Sequence, residues 1–149
     1  MVLRSRTVNT WTLLVQMLLV LGYVEGMNTT AVLAGIMEGY DKRLRPNDSG
    51  SAVHVKMGIY VESMEGIRES TMDFSVTLYL RMFWNDPRLS FKGNSAITLK
   101  SADMNLVWIP DVVFLYEKEA RLHAVTQVNS LLRVQQNGDV TFSSRVSVT

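Results

Sequence analysis

The chain has 149 residues, with 15 Lys and Arg against 14 Asp and Glu, and its formal net charge is +1. This length allows one modest domain, and the balanced charge argues against a nucleic-acid-binding protein, which usually carries a strongly basic face. There is no cysteine, and the two histidines, His54 and His123, are far apart in the sequence. Because metal-ligand spacing and a nucleophile motif are both missing, we expect neither an enzyme nor a cofactor or metal.

The N-terminus has the three-part pattern of a secretory signal peptide. Arg4 and Arg6 form a basic start, residues 11–21 are almost wholly apolar, and small residues follow at 22–26. The apolar run is shorter than the roughly 20 residues that a membrane-spanning helix needs. We therefore expect a signal peptide over 1–26, with a buried core helix or an uncleaved anchor as the alternatives.

The predicted mature domain, 27–149, opens with a short helix. Helical spacing of apolar residues predicts this helix over about 31–39, with Thr30 as its cap. Its apolar face consists of Val32, Leu33, Ile36 and Met37. Two N-x-S/T sequons, at Asn28 and Asn47, are candidate glycosylation sites on surface loops of an exported chain.

From Val53 onward the apolar period changes to two, which is typical of strands. We expect a half-buried strand over 53–62, a polar connection over 63–71 and a second strand over 73–84. On the second strand Phe74, Val76, Leu78, Leu80, Met82 and Trp84 share one face, and Ser75, Thr77, Tyr79, Arg81 and Phe83 share the other. Short strands are predicted at 96–100 and 112–116.

The last two predicted strands form a hairpin. Residues 131–135 lead into Asn137-Gly138, and residues 140–149 return; Asn-Gly between β-prone runs is a strong hairpin signal. The predicted fold class is therefore mainly β, a short N-terminal helix followed by an incomplete antiparallel immunoglobulin-like β-sandwich. Because the final strand reaches the last residue without a turn signal, we expect the domain to be truncated.

Several sequence blocks resemble, in the same order, the extracellular ligand-binding domain of Cys-loop neurotransmitter-gated ion channels, closest to the glycine- and GABA-type anion channels. The blocks are Gly39 to Pro46, Trp84-Asn85-Asp86-Pro87-Arg88-Leu89, Trp108-Ile109-Pro110-Asp111, Glu117-Lys118 with His123, and Leu131-Leu132-Arg133 with Asn137-Gly138, Ser143 and Arg145. In that family the first cysteine of the disulfide loop would come next, so a chain that stops before it has no cysteine.

The resemblance implies a ligand-binding set. In glycine receptors the arginine that matches Arg81 contacts the agonist's carboxylate, and the residue that matches Ser143 hydrogen-bonds the agonist. The full candidate set is Tyr79, Arg81, Val113, Arg133, Thr141 and Ser143. The alternatives are a solvated arginine for Arg81, an ordinary strand serine for Ser143, and pairing of Arg133 and Arg145 with acids across a subunit boundary.

Val113 departs from the family pattern. It lies where glycine- and GABA-binding subunits usually place an aromatic residue on the principal face, and Tyr116 lies where asparagine is common. Valine cannot attract an ammonium group as an aromatic face does. We therefore expect either an agonist other than glycine or a subunit that serves better as the complementary partner.

Two further groups have structural interpretations. We expect core packing, buried ion pairs and turn contacts from Trp84, Asp86, Arg88, Trp108, Pro110 and Asp111, because buried charges need partners. Glu65, Arg68 and Glu69 match the family's loop between the first two strands, which helps to transmit gating. A plain polar hairpin turn explains that composition equally well.

The resemblance thus implies a subunit of an agonist-gated, chloride-selective pentameric channel, with this domain at the extracellular face of the plasma membrane. Synaptic membranes are one place where such a channel would lie. Its expected partners are other subunits of a homo- or hetero-pentamer, a small amino-acid-like neurotransmitter bearing a carboxylate, and the membrane, through a domain absent from this chain. No nucleic-acid partner is expected. The alternatives are a secreted soluble binding protein of the same fold and a non-functional truncated fragment.

Overall fold

A computed structural model describes residues 28–149, so the predicted signal peptide at 1–26 lies outside the described residues. One α-helix, α1, spans Thr29–Met37. Six strands follow: β1 Lys56–Arg68, β2 Asp73–Asn85, β3 Ile97–Lys100, β4 Ala120–Leu122, β5 Ser130–Val134 and β6 Asp139–Val148. Within this part of the chain, no helix has both the length and the apolar character that a membrane span requires.

The six strands form one antiparallel sheet in the order β1-β2-β6-β5-β3, with β4 also paired to β6. Strand β6 is central. It pairs with β2 along one edge, and along its other edge it pairs first with β5 and then, nearer its C-terminal end, with β4. This antiparallel sheet with a single short helix agrees with the predicted class of a partial β-sandwich.

The core lies on one surface of the sheet, which we call the inner face and which carries Leu78, Leu80, Met82 and Trp84 of β2. All four are no more than 6% exposed. Alternate residues of the neighbouring strands join them, as strand geometry requires; these include Ile97, Leu99, Leu132, Val134, Val140 and Val146. The predicted alternation of β2 and β6 is confirmed.

Helix α1 packs its apolar face against this core, as predicted, but its boundaries differ from the prediction. Asn28 rather than Thr30 is the N-cap, because its side-chain oxygen accepts a hydrogen bond from the Ala31 amide at 3.2 Å. The helix ends at Met37, and Gly39 follows with a φ of +76°. Glycine adopts this left-handed conformation without a steric penalty, which is why helices so often end before it.

Strand β1 was predicted too short and too buried. It begins at Lys56 and continues to Arg68, so most of the predicted polar connection is strand. The prediction failed because this part of β1 pairs with β2, at Ser63, Met64, Glu65 and Arg68, through backbone hydrogen bonds that do not depend on an apolar period. Met57, Ile59 and Val61 point to the inner side but are 47–58% exposed, since β1 is the edge strand.

Two further predictions in the second half of the chain were wrong. Residues 112–116 form no strand, and Tyr116 has a φ of +67° that interrupts extended structure. Strand β4, Ala120–Leu122, was not predicted; it is exposed and pairs with Val146–Val148 of β6. A three-residue strand without an apolar face leaves no periodic signal in the sequence.

The predicted β5–β6 hairpin is confirmed, and Gly138 fixes its turn. Gly138 has a φ of +84°, and a Cβ atom built there would lie 2.5 Å from the backbone oxygen of Asp86. The Asp86 amide donates to the Gly138 carbonyl at 2.9 Å. The hairpin turn is thereby joined directly to the end of β2.

Candidate functional site

The opposite surface of the sheet, which we call the outer face, carries Thr77, Tyr79, Arg81 and Phe83 of β2. The register aligns its side chains in rows across the strands. One row runs Gly58, Arg81, Ser143 and Leu131, the next runs Lys56, Phe83, Thr141 and Arg133, and a third joins Tyr60, Tyr79 and Arg145. Residues of one row lie about 4.5–5.5 Å apart at Cβ, so these side chains are direct neighbours.

Arg81 lies in the middle of the outer face and is exposed. It is directly opposite Ser143 on β6 and Gly58 on β1. No ion pair between residues 28 and 149 includes Arg81 or Arg133. An exposed guanidinium without an acidic partner, beside a hydroxyl group, has the donors that a carboxylate accepts in bidentate fashion.

The structure brings five of the six predicted ligand-binding residues onto this surface: Tyr79, Arg81, Arg133, Thr141 and Ser143. Val113 is separate from them. It is 70% exposed and borders a cavity of about 390 Å³ on the inner side, which Leu80 and Met82 also line. One face of a single chain therefore presents the arginine cluster, and the segment around Val113 belongs to the other side.

Next to Arg81 the outer face holds an ion pair that the sequence pattern did not reveal. Arg145 donates from Nε to Glu62 Oε2 at 2.7 Å, so the contact reaches from β6 over β2 to β1. Tyr60 and Tyr79 belong to the same row as Arg145, with ring centroids 6.2 Å apart. The expected alternative for Arg145, pairing with an acid across a subunit boundary, is replaced in this chain by an internal partner.

Hydroxyl groups cover the outer face on the other side of Arg145. The Ser147 hydroxyl lies 2.8 Å from Thr77 Oγ1 and 2.8 Å from His123 Nε2. Ser75 and Thr149 make a similar contact at 2.8 Å. A cavity of about 340 Å³ opens beside these hydroxyl groups. The arginine-rich and hydroxyl-rich halves of the face are thus distinct.

The residues expected to be structural form a buried polar cluster around Asp86, which is fully buried. Arg88 donates to both Asp86 oxygens, from Nε at 2.9 Å and Nη2 at 2.8 Å, which confirms the predicted ion pair. Trp84 packs edge-on against Trp108 at a centroid distance of 6.0 Å. Asp111, by contrast, is exposed and forms no ion pair within the described residues, so the expected buried ion pair does not include it.

Tyr40 completes this cluster, and its sequence block carries a family resemblance but no local signal for a buried contact. Its hydroxyl donates to Asp86 Oδ2 at 2.9 Å and accepts from the Trp108 amide at 3.1 Å. The Arg88 guanidinium lies 4.5 Å from the centre of its ring. Burial, with a smaller contribution from Asp86, raises the pKa of Tyr40 to about 12. The hydroxyl therefore stays protonated and joins three blocks that are distant in sequence.

The residues expected to couple binding to gating lie at one end of β1. Glu65 and Arg68 belong to the strand itself, and Glu69 begins the turn to β2. Arg68 donates to Asp73 at 2.8 Å and Lys118 to the same carboxylate at 2.6 Å. Hydrogen bonds from Lys118 first and Arg68 second lower the pKa of Asp73 to about 2. The turn is thus tied by charge to the segment before β4.

Both predicted glycosylation sites are exposed. Asn28 uses its side-chain oxygen for the helix cap, and Asn47, with a φ of +55°, lies in the turn that closes with the Gly50 amide. No group of three or more metal-ligating side chains occurs in residues 28–149.

Nearly all of the described chain matches one protein family. Residues 29–149 match the family described as the neurotransmitter-gated ion-channel ligand binding domain. The chain belongs to this family. The ligand-binding-domain match also supports the expectation that the chain is part of a receptor and not an enzyme.

Relatives place the domain in the glycine and GABA receptor branch. The human glycine receptor subunit beta is 41% identical over 133 residues, which cover 87% of this chain and 27% of that protein. The rat gamma-aminobutyric acid receptor subunit pi is 40% identical over 111 residues, which cover 74% of this chain and 25% of that protein. The ligand-binding domain described here spans about a quarter of the length of these curated relatives.

Proposed function

We propose that the protein is a subunit of a pentameric, chloride-selective channel, gated by a small amino-acid-like agonist that binds between subunits. In this proposal the outer face of the sheet supplies the complementary side of each agonist site. The carrying observation is Arg81, which is exposed, has no ion-pair partner between residues 28 and 149, and lies opposite Ser143.

The chemistry of the surface favours a carboxylate as the group that it recognises. The Arg81 guanidinium provides two parallel donors, and the Ser143 and Thr141 hydroxyl groups extend the donor set along β6. Tyr79 and Phe83 flank Arg81 along β2 and provide aromatic walls. Arg133, opposite Thr141, adds a second positive charge that attracts an anion toward the groove.

The ammonium end of such an agonist needs a different surface. An aromatic box attracts an ammonium group through cation–π contacts, and this chain has the exposed Val113 at the position where the family resemblance places an aromatic residue. We infer that a neighbouring subunit contributes that box, which favours the complementary role for this chain and assembly with other subunits in a homo- or hetero-pentamer.

The pore and its selectivity are inferred from kinship with the glycine and GABA receptor subunits. Agonist binding would favour one of two arrangements of the extracellular domain and so shift a closed–open equilibrium. The residues Glu65, Arg68 and Glu69 would transmit that shift to the pore. The domain would lie on the extracellular side of the plasma membrane, after export through the secretory pathway.

The test is an Arg81→Ala substitution in the full-length subunit. Loss of a charge-assisted contact of about 1.5–3 kcal/mol raises the half-maximal agonist concentration roughly ten- to hundredfold. Arg81→Lys should recover only part of the sensitivity, because a point ammonium does not reproduce the planar fork. Concentration–response recordings with glycine and γ-aminobutyrate give the half-maximal agonist concentration, and surface labelling gives the amount of receptor at the cell surface.

Arg121→Ala is the matched control, since it removes another exposed arginine, on β4, outside the proposed site. It should leave agonist sensitivity within about twofold, as surface substitutions usually cost less than about 0.5 kcal/mol. An Arg81→Ala receptor with unchanged sensitivity and normal surface expression would show that this face does not bind the agonist's carboxylate.

A further inference from the structure

The contact between Glu62 and Arg145 sets the number of free positive charges on the outer face. Arg81 and Arg133 have no acidic partner between residues 28 and 149, but the Arg145 guanidinium is paired at 2.7 Å. Arg145 is two residues from Ser143, the residue opposite Arg81. Diagonal neighbours of this kind lie about 7–8 Å apart. A free Arg145 would therefore add its charge to the surroundings of Arg81.

Glu62 is placed by a β-bulge. Val61 pairs with Leu78 and Ser63 pairs with Thr77, so two consecutive residues of β2 oppose three of β1, and Glu62 is the extra residue. A bulge redirects the side chain of the extra residue and often occurs beside functional sites. Here it brings the carboxylate to Arg145, whose own strand is separated from β1 by β2.

The contact is partly shielded from water. The Arg145 and Glu62 side chains are 29% and 35% exposed, and the tilted Tyr60–Tyr79 pair belongs to the same row as Arg145. An ion pair in such a setting is screened less than one in open solvent. Glu62 therefore neutralises Arg145 while the groove is empty.

We propose that Glu62 is a specificity-determining residue of the agonist site: by holding Arg145 it leaves Arg81 as the principal carboxylate-binding arginine, and the groove favours ligands with one carboxylate over ligands with two. This inference rests on the proposed function of the outer face. When Glu62 loses its charge, Arg145 becomes available as a second anion-binding group.

The experiment uses the purified receptor, assembled from the full-length subunit and its partner subunits, and the arginine reagent phenylglyoxal. Labelling at Arg81 and Arg145 is measured separately by mass spectrometry. Glu62→Gln keeps the shape of the side chain and removes its charge. We expect labelling of Arg145 to rise several-fold in Glu62→Gln and to a smaller extent in Glu62→Asp, whose shorter side chain weakens the contact. Glu119→Gln, which removes an equal charge without an ion-pair partner in residues 28–149, should leave labelling as in the wild type.

Protection by two probes then measures specificity. Glycine carries one carboxylate and glutamate carries two. In Glu62→Gln the glutamate concentration that protects Arg145 should fall by roughly two- to fivefold relative to wild type, a range appropriate to a partly exposed ion pair. Glycine protection of Arg81 should change less.

The outcomes separate the two proposals. Equal labelling of Arg145 in wild type and Glu62→Gln would overturn the inference about Glu62, whatever the probes do. Increased labelling without a change in the glutamate-to-glycine ratio would overturn its role in specificity. Failure of both probes to protect Arg81 in every variant would instead count against the proposed function itself.

Discussion

Replacing Asp86 with asparagine should destabilise the domain far more than its single-atom change suggests. Asp86 is fully buried and accepts hydrogen bonds from Tyr40 and from the Arg88 guanidinium and amide. In the Asp86→Asn variant the new side-chain amide would present hydrogens to the Arg88 guanidinium, which also has only hydrogens to offer. The Arg88 charge would then lose its partner in a setting where its side chain is only 31% exposed.

Breaking a buried ion pair by removing one partner costs about 3–5 kcal/mol, and the partial exposure of Arg88 reduces this to about 2–4 kcal/mol. For a domain of this size such a loss lowers the melting temperature by about 5–15 °C. The assay is thermal unfolding of the purified full-length subunit, together with surface labelling in cells. We expect a lower melting temperature and reduced surface delivery.

Asp41→Asn is the matched control, because Asp41 also pairs with an arginine, Arg43, but on the surface. Exposed pairs contribute little to stability because water and salt screen them, so this variant should melt within a few degrees of wild type. If Asp86→Asn melted like Asp41→Asn, the Asp86 cluster would not hold the end of β2, and the reasoning from burial would be wrong.

Three further predictions concern other parts of the sheet. Trp84→Ala should cost about 3–5 kcal/mol by emptying the core and should abolish surface delivery; normal delivery would contradict the core assignment. Gly138→Ala should cost at least about 1–3 kcal/mol, visible as a lower melting temperature, because its φ is +84° and its Cβ would meet Asp86. Hydrogen bonds, the strongest from Lys118, lower the pKa of Asp73 to about 2 in the folded chain. The unfolded chain therefore binds the Asp73 proton near pH 4 and the folded chain near pH 2, so the free energy of unfolding should fall as the pH decreases across this window. Asp73→Asn should remove that part of the acid dependence in a pH series of melting curves, and an unchanged dependence would count against the Asp73 ion pairs.

The sequence predicted the elements whose signal is local. Strand β2 has an uninterrupted apolar alternation, and the β5–β6 hairpin has Asn137-Gly138 between two β-prone runs. The missed elements have no local signal. Strand β4 exists because the edge of β6 beyond β5 is open to it, and the extension of β1 past Val61 depends on pairing with β2 across a bulge. Such pairings are decided by the partner strand.

The candidate site shows the same division. Alternation placed Arg81 and Ser143 each on the polar side of its own strand, but only the β2–β6 register makes them direct neighbours. The ion pair between Glu62 and Arg145 lay beyond prediction, because it requires two strands that are not adjacent and a bulge that turns one side chain toward the other. The sequence therefore predicted which face of a strand each residue occupies, but not which residues of other strands it contacts.

The central position of β6 has a consequence for the order in which the domain forms. The β1–β2 and β5–β6 pairs are hairpins between neighbouring segments, whereas the β2–β6 ladder joins residues as distant as Val76 and Val148. Pairing of residues so far apart carries a large loop-closure cost and is slow. On a ribosome, the first hairpin must therefore wait, with one long edge unpaired, until β6 has been synthesised. Chaperone contact during folding is best directed at that waiting edge of β2, since unpaired strand edges promote aggregation.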